Sequence, residues 1–399
     1  MSTGSSGPAG GSRPLAGVRV LDVSRVVSGP FASRLLSDLG ADVVKVEPPR
    51  GDETRAYGLK RGGFSGAYIQ HNVGKSNVCI DLKAAGGSDL LVQLASKADL
   101  MVENFRPGVL DRLGIGWSVL SSANPGLILL SITGFGQHGP ASGRKAYAPV
   151  IHAETGLIAR QAHFDARPPS DPMPSVADTN ASLHGLVAAL AALHMRERTG
   201  LGQHIDIAMT DAMLTTDDYS HHALDGFPIV RVGGDVFDAV GGPVLTAGLF
   251  EGTWERLVAT YGDDLGATAV GEAQADRMAA VQRWMSAFDA RETLQKALDA
   301  AGVAWADVRS PMDVFDSDWA RDHETSAEID DRVGGTRRVT QSPYRFSDAV
   351  SGVVPRIAYR GEDNASALQR WLGVPAGEIE RLVATGVLQT EERPDGSGR

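Results

Sequence analysis

Short apolar runs alternate with amphipathic stretches through the first half of the chain, and this alternation constrains the fold more than any other feature. "VRVLDV" (18–23) reads as a buried strand and "FASRLLSDL" (31–39) as a helix. Pro30 suits a helix start, and Phe31, Leu35, Leu36 and Leu39 fall at helical spacing. Gly40 stops that helix, and "DVVKVE" (42–47) is the next strand. The pattern returns with "SNVCIDL", "GGSDLLVQLASKA", "DLMVENF" and "GLILLSITGFG", and "HIDIA" alternates as a further strand. Strand–helix alternation of this kind predicts an α/β fold with a doubly wound, Rossmann-like parallel sheet.

Ligands of such sheets bind beyond the carboxyl ends of the strands. The segments to search are Ser24–Pro30, Glu47–Arg55, Glu103–Gly108 and Gly134–Tyr147. Cations gather in or near them: Arg25, Lys75, Arg106, Arg112, Arg144 and Lys145. Any one of these is ordinary surface charge. Shared placement on one face of a chain with net charge -11 points to an anionic ligand such as a phosphate. The first turn, "SRVVSGP", lacks the glycines of a dinucleotide fingerprint, although Glu47 follows the second strand as a ribose-binding acid would. Neither a P-loop nor a G-x-S-x-G elbow occurs. His204 with Asp206, and His221 with His222, lack the companions of a metal site, so no metal is expected.

From about Tyr219 to Gly242 the composition shifts to Gly, Asp and His. This divides the chain into a disordered tail (1–14), a large α/β domain (15–220), a smaller mixed α/β domain with linkers (221–330), a segment returning to the large domain (331–390) and a second disordered tail (391–399). The acidic balance argues against nucleic-acid or membrane-surface partners. The lone Cys79 sits in an apolar run and reads as a buried spectator. The Gly/Ser/Pro-rich N-terminus has no signal-peptide core, and no apolar run reaches membrane-spanning length, so a cytoplasmic protein is expected.

One stretch, "VADTNASLHGLVAALAALHMRERTG" (176–200), holds a carboxylate where a helix begins. Asp178, Thr179 and Asn180 are all candidate caps, with the helix running from Asn180 to about Arg198. Leu183, Leu186, Val187, Leu190 and Leu193 form an apolar stripe among small residues, which predicts a buried helix. A carboxylate at its start has three roles open to it: cap, general base or nucleophile. Spacing alone favours the cap.

These residues together resemble the family III CoA-transferases, a group that also contains the 2-methylacyl-CoA racemases. The matching stretches are "PLAGVRVLDVSRVVSGPFASRLLSDLGADVVKVEPPRGDETR", "GKSNVCIDLK", "VENFRPGVLDRLGIGW", "SITGFGQHGP", "VADTNASLHGLVAALAALHMRERTGLGQHIDIAMTDAM" and "LGVPAGEIERLVATGVL", in order over nearly the whole chain. The resemblance implies a large domain built from both chain ends, a smaller one between, and an interlocked homodimer. It implies coenzyme A or acyl-CoA bound at the strand ends as substrate, a carboxylic acid as the other substrate, and no permanently held cofactor. It assigns Asp178 as the catalytic aspartate. Arg25, Val26, Val27 and Ser28 fall in the first CoA-contacting loop, Lys75, Arg112 and Lys145 at phosphate-contacting positions, and Tyr147 beside them. A glycine loop over the intermediate corresponds to Gly241 and Gly242 or to Gly233 and Gly234.

Two departures bear on the substrate. Val27 stands where formyl-CoA transferases carry glutamine, and Ala148 where they carry an acid after the tyrosine. Both changes remove polarity, so a substrate larger or less polar than oxalate is expected. The alternative is a racemase acting on the α-carbon of an acyl-CoA, which needs two acid/base groups flanking that carbon. The racemase-type His-Asp pair is replaced here by Tyr147 and Ala148, and His152, five positions on, reads as packed in a helix. A CoA-binding protein without turnover is a third reading, with only Val27 and Ala148 in its favour.

Overall fold

The computed structural model describes residues 12–229 and 233–392. Six strands form one parallel sheet: β1 Arg19–Asp22, β2 Asp42–Glu47, β3 Ser76–Cys79, β4 Leu100–Glu103, β5 Ile128–Thr133 and β6 His204–Ala208. Their spatial order is β3-β2-β1-β4-β5-β6, the doubly wound order, with its switch point between β1 and β4. Strand side chains alternate between two apolar layers. Leu21, Val44, Met101 and Leu129 face one layer, which includes Leu91 and Leu94 of helix α2 (Gly87–Ala95). Val20, Val43, Leu100 and Leu130 face the other, with Leu35 and Leu36 of α1 (Ser28–Asp38).

The same second layer takes α3 (Ala148–Glu154) and the long α4 (Val176–Thr199). Helix α4 starts two residues before Asp178, not after it. Asp178, Thr179 and Asn180 are therefore helical residues, and the N-cap position is Ser175, whose side chain makes no capping bond. The buried face also differs from the expected stripe. Ala177, Ala181, Gly185, Leu186 and Ala189 lie against the sheet, while Leu183 and Val187 are exposed. Close approach decides this: a methyl group at Gly185 would sit 3.1 Å from Leu130. Among the described residues, one helix, α4, passes for a membrane span by length and composition alone, and its small face packs on the sheet.

By internal contacts the chain divides into two units, Met1–Ser220 with His323–Arg399, and His221–Asp322. The return begins at His323 rather than 331, because strands Ser326–Asp330 and Thr336–Thr340 pair with each other and pack Ile329 and Val339 beside Phe64 and Tyr68. The second unit has its own core around Trp254, Leu257, Trp284 and Leu298. Its antiparallel sheet comprises β7 Gly234–Phe237, β8 Val244–Ala247 and β9 Trp305–Asp307.

The returning segment seals the β3 edge of the parallel sheet. The Asp363 carboxylate accepts the Asn77 N–H at 2.8 Å, and the Asn364 side chain accepts the Cys79 N–H at 2.9 Å. Ile80 bridges to Leu388. Both tails were expected to be disordered; residues 1–11 and 393–399 lie outside the described residues. The inner ends are ordered. Arg13 donates to the Gly352 carbonyl at 3.0 Å, and Glu391 accepts the Arg360 N–H at 2.9 Å.

Candidate active site

A cleft of about 820 Å³ opens over the carboxyl ends of the strands at the switch point. Its floor is the turn after β1. Val26 there has φ +67, a left-handed conformation that a β-branched residue adopts only under constraint. The constraint is a set of hydrogen bonds. The Val26 N–H faces both oxygens of Asp52, at 3.3 and 3.2 Å. The Arg25 N–H donates to the Asn104 side chain at 2.8 Å, whose amide returns a bond to the Arg25 carbonyl at 2.7 Å. The Ser24 carbonyl accepts from Lys45 at 2.9 Å.

Asp178 lines this cleft from the third position of α4. Ser28, the first residue of α1, approaches it with both its hydroxyl and its backbone N–H. Two helix N-termini therefore meet at one carboxylate, and unpaired N–H groups at such ends favour negative charge. Ser182 ties the helices together, its hydroxyl 2.6 Å from the carbonyls of both Ser28 and Asp178. Burial nevertheless pushes the Asp178 carboxyl up to about 6, against the lowering effect of the Ser28 hydrogen bonds. A carboxylate so desolvated is a stronger nucleophile or base than one in water.

The cleft wall is cationic and partly apolar. Arg25, Arg50, Lys83, Arg106, Arg144 and Lys145 line it together with Val27, Phe105, Tyr147 and Met209. Arg25 pairs with Glu53 at 3.2 Å and lies over the Phe105 ring. Arg144 pairs with Glu154 and stacks on Phe135.

Arg25, Val26, Val27, Ser28, Lys145, Tyr147 and Asp178 thus share one cavity. Lys75 does not. It is buried, and its ammonium is spent on Asp22, the Pro30 carbonyl and Asn72, at 2.8, 2.9 and 2.9 Å. The Lys75 and Lys45 ammonium groups hold the Asp22 carboxyl well below its usual range despite the opposing effect of complete burial. Arg112 is exposed on the short helix Val109–Arg112 and lies outside the lining, though Val109 belongs to it. Ala148 is a core residue of α3, so its apolarity does not reach the cleft. Gly241 and Gly242, with φ +79 and +119, form the β7–β8 turn of the second unit. Arg291 gathers that turn through the Val240 and Gly242 carbonyls at 3.1 and 3.0 Å. Gly233 accepts the Gly248 N–H, and Gly234 opens β7.

The other candidate clusters have structural partners. His204 contacts Ser131 at 2.9 Å, and Asp206 accepts the Gln137 N–H. Cys79 is buried, and desolvation raises its thiol to about 11. Sequence reasoning missed Asn104, Asp52 and Lys45. Asn104 and Asp52 both lie in segments past strand ends, which marks their positions but not their roles. Lys45 lies within β2 and reaches the Ser24 carbonyl from there, which no sequence spacing reveals.

Residues 15–364 match the model for CoA-transferase family III. The chain belongs to that family. Family relatives include succinyl-CoA:mesaconate CoA-transferase of Haloarcula marismortui, 33% identical over 90% of this chain and 96% of that protein. Another is succinyl-CoA–D-citramalate CoA-transferase of Chloroflexus aurantiacus, 30% identical over 94% and 98%. An acetyl-CoA:oxalate CoA-transferase of Acetobacter aceti is 38% identical, but over only 54% of this chain and 55% of its own length. Among solved structures, a CaiB/BaiF family protein from Brucella suis aligns with TM-score 0.77 at 27% identity, covering 90% of this chain and all of that one.

Proposed function

We propose that this family III member moves coenzyme A from an acyl-CoA donor to a carboxylic acid acceptor through a covalent intermediate on Asp178. The observation that carries the reading is a desolvated carboxylate, held at two helix N-termini, on the wall of a cationic cleft. Asp178 attacks the thioester carbonyl; the C–S bond breaks, and CoA leaves as thiolate from a mixed anhydride. The thiolate attacks the aspartyl carbonyl, the anhydride C–O bond breaks, and the donor acid departs from an aspartyl-CoA thioester. The acceptor carboxylate then attacks that thioester, expelling the thiolate and forming a second anhydride. The thiolate attacks its acyl carbonyl, forming the new acyl-CoA and restoring Asp178. Splitting the exchange into such steps lowers each barrier.

In this reading the turn at Arg25–Ser28 and the cations Lys145, Arg50 and Arg106 receive the nucleotide and its phosphates, with Tyr147 at the cleft mouth. Lys75 supports the turn from beneath. Coenzyme A enters and leaves as substrate, with no held cofactor, and the active form is a cytoplasmic homodimer. The exposed Leu183 and Val187 on α4 support a further packing partner. The relatives matched almost end to end are named for mesaconate and citramalate, acids larger than oxalate but still polar, so we place the acceptor among dicarboxylic acids of that size.

A racemase needs a second acid/base group at the α-carbon. His152, which meets the first turn of α4 through the Ala177 N–H, is buried with both ring nitrogens engaged. The test is chemical trapping. The protein is incubated with acetyl-CoA or succinyl-CoA, treated with hydroxylamine, and mapped by mass spectrometry. A hydroxamate at Asp178 is expected, and none in Asp178→Asn. An unmodified Asp178 together with solvent deuterium at the α-carbon of the thioester would sink the transferase reading.

A further inference from the structure

We propose that His152, oriented by Asp171, is a positioning residue that caps α4 from another element and thereby keeps the Asp178 carboxylate turned into the cleft. This rests on Asp178 being the nucleophile, as proposed above. The cap of α4 comes from neither Ser175 nor any residue of the segment 178–180. The Ala177 N–H donates instead to Nε2 of His152, at 3.1 Å, from α3, 25 positions earlier. The Val176 N–H is taken by the Pro174 carbonyl at 2.8 Å.

The ring state follows from the donors. A backbone N–H can only donate, so Nε2 carries the lone pair and Nδ1 carries the hydrogen. Nδ1 lies 2.8 Å from the Asp171 carboxylate, which accepts that hydrogen. The other tautomer or an imidazolium would set a donor against the Ala177 N–H. His152 is fully buried, so the ring has no water to turn toward, whereas Asp171 reaches in from an exposed loop position.

The consequence falls on the next residue. A carboxylate in the first turn of a helix is drawn to free N–H groups at that helix end. Here the N–H groups of Val176 and Ala177 are already occupied. Asp178 is left to Ser28 and the cleft. Removing the imidazole frees one competing donor beside the nucleophile. A displacement of about 1 Å costs on the order of 100-fold in rate.

The experiment uses the full chain, with succinyl-CoA as probe and hydroxylamine as trap. The parent is tested first: if it gives no hydroxamate at Asp178, the transferase reading fails and this proposal with it. If the parent is labelled, His152→Ala is expected to lower the rate of CoA release roughly 100-fold with KM for succinyl-CoA changed less than about threefold. His152→Gln, whose amide oxygen accepts and whose NH2 donates to Asp171, is expected to recover most of that loss. An unchanged rate in His152→Ala, or equal losses in the Ala and Gln variants, overturns the positioning role and leaves the transferase reading intact. Should His152→Ala fail to fold, Asp171→Ala carries the test. A lowered rate at unchanged KM supports the proposal, and an unchanged rate overturns it.

Discussion

Asp178 shows how spacing alone can locate a residue without assigning its role. The sequence marks a carboxylate at a helix start, and capping is the ordinary explanation. The structure gives the capping to a histidine in another helix, a pairing that no local spacing announces. The raised carboxyl has two measurable consequences. The proposed attack by Asp178 needs the ionised form, so kcat/KM should climb with pH through about 6, the value to which burial pushes this group. A profile flat from about pH 5 to 8 would contradict that. Stability runs the other way. A folded-state value above the unfolded 3.8 means that the penalty is absent below 3.8 and complete above about 6. Asp178→Asn should therefore be more stable than the parent at pH 8, by up to roughly 3 kcal/mol. In denaturant titrations that advantage should shrink as the pH falls from 6 toward 4. Lys75 teaches the opposite lesson. A lysine near a strand end looks like a phosphate ligand until the fold turns it inward onto Asp22.

At the scale of elements, the strands and the first helices are legible because apolar period and helix breakers are local signals. Helix α4 is not fully legible. Its leucines suggest the buried face, yet the sheet selects the small residues because they allow the backbone to come close. Gly185→Val should expose this. Its added methyl groups would press on Leu130 and Ile132, whose side chains already lie 3.1 and 3.4 Å from a single added carbon. The expected loss is about 1–3 kcal/mol in a denaturant titration. Leu183→Ala, on the outward face, should leave a monomer's stability nearly unchanged, and a large loss would mean that this face is covered in solution. The β1 turn makes a second case. Asn104 holds both Arg25 and Ser28, the latter at 3.1 Å. Asn104→Ala should weaken coenzyme A binding and slow Asp178 acylation together, each by roughly tenfold. Calorimetry and the trapping rate would check the two effects separately. No helix or strand pattern singles this asparagine out, since its partners lie 76 to 79 positions away.

For the whole molecule, strand–helix alternation implies a doubly wound sheet, and ligands of such sheets bind beyond the strand ends, where the cleft lies. The division into units is also visible as a change in composition near Tyr219. Where the chain returns is less visible, because hairpin pairing at 326–340 leaves no compositional mark. The second unit has its own core, so a fragment spanning 221–322 should unfold cooperatively. A broad, non-cooperative melt would count against its independence. The six cations of the cleft predict that coenzyme A binds more weakly as ionic strength rises. The seal on β3 has a consequence in time. Asn77 and Cys79 receive their partners from Asp363 and Asn364, nearly three hundred residues later. During synthesis the sheet must wait with that edge unfinished while the entire second unit emerges from the ribosome. A ribosome that stalls within the second unit would leave a strand template open to any neighbouring chain, so truncated products of this protein should aggregate where the full chain does not.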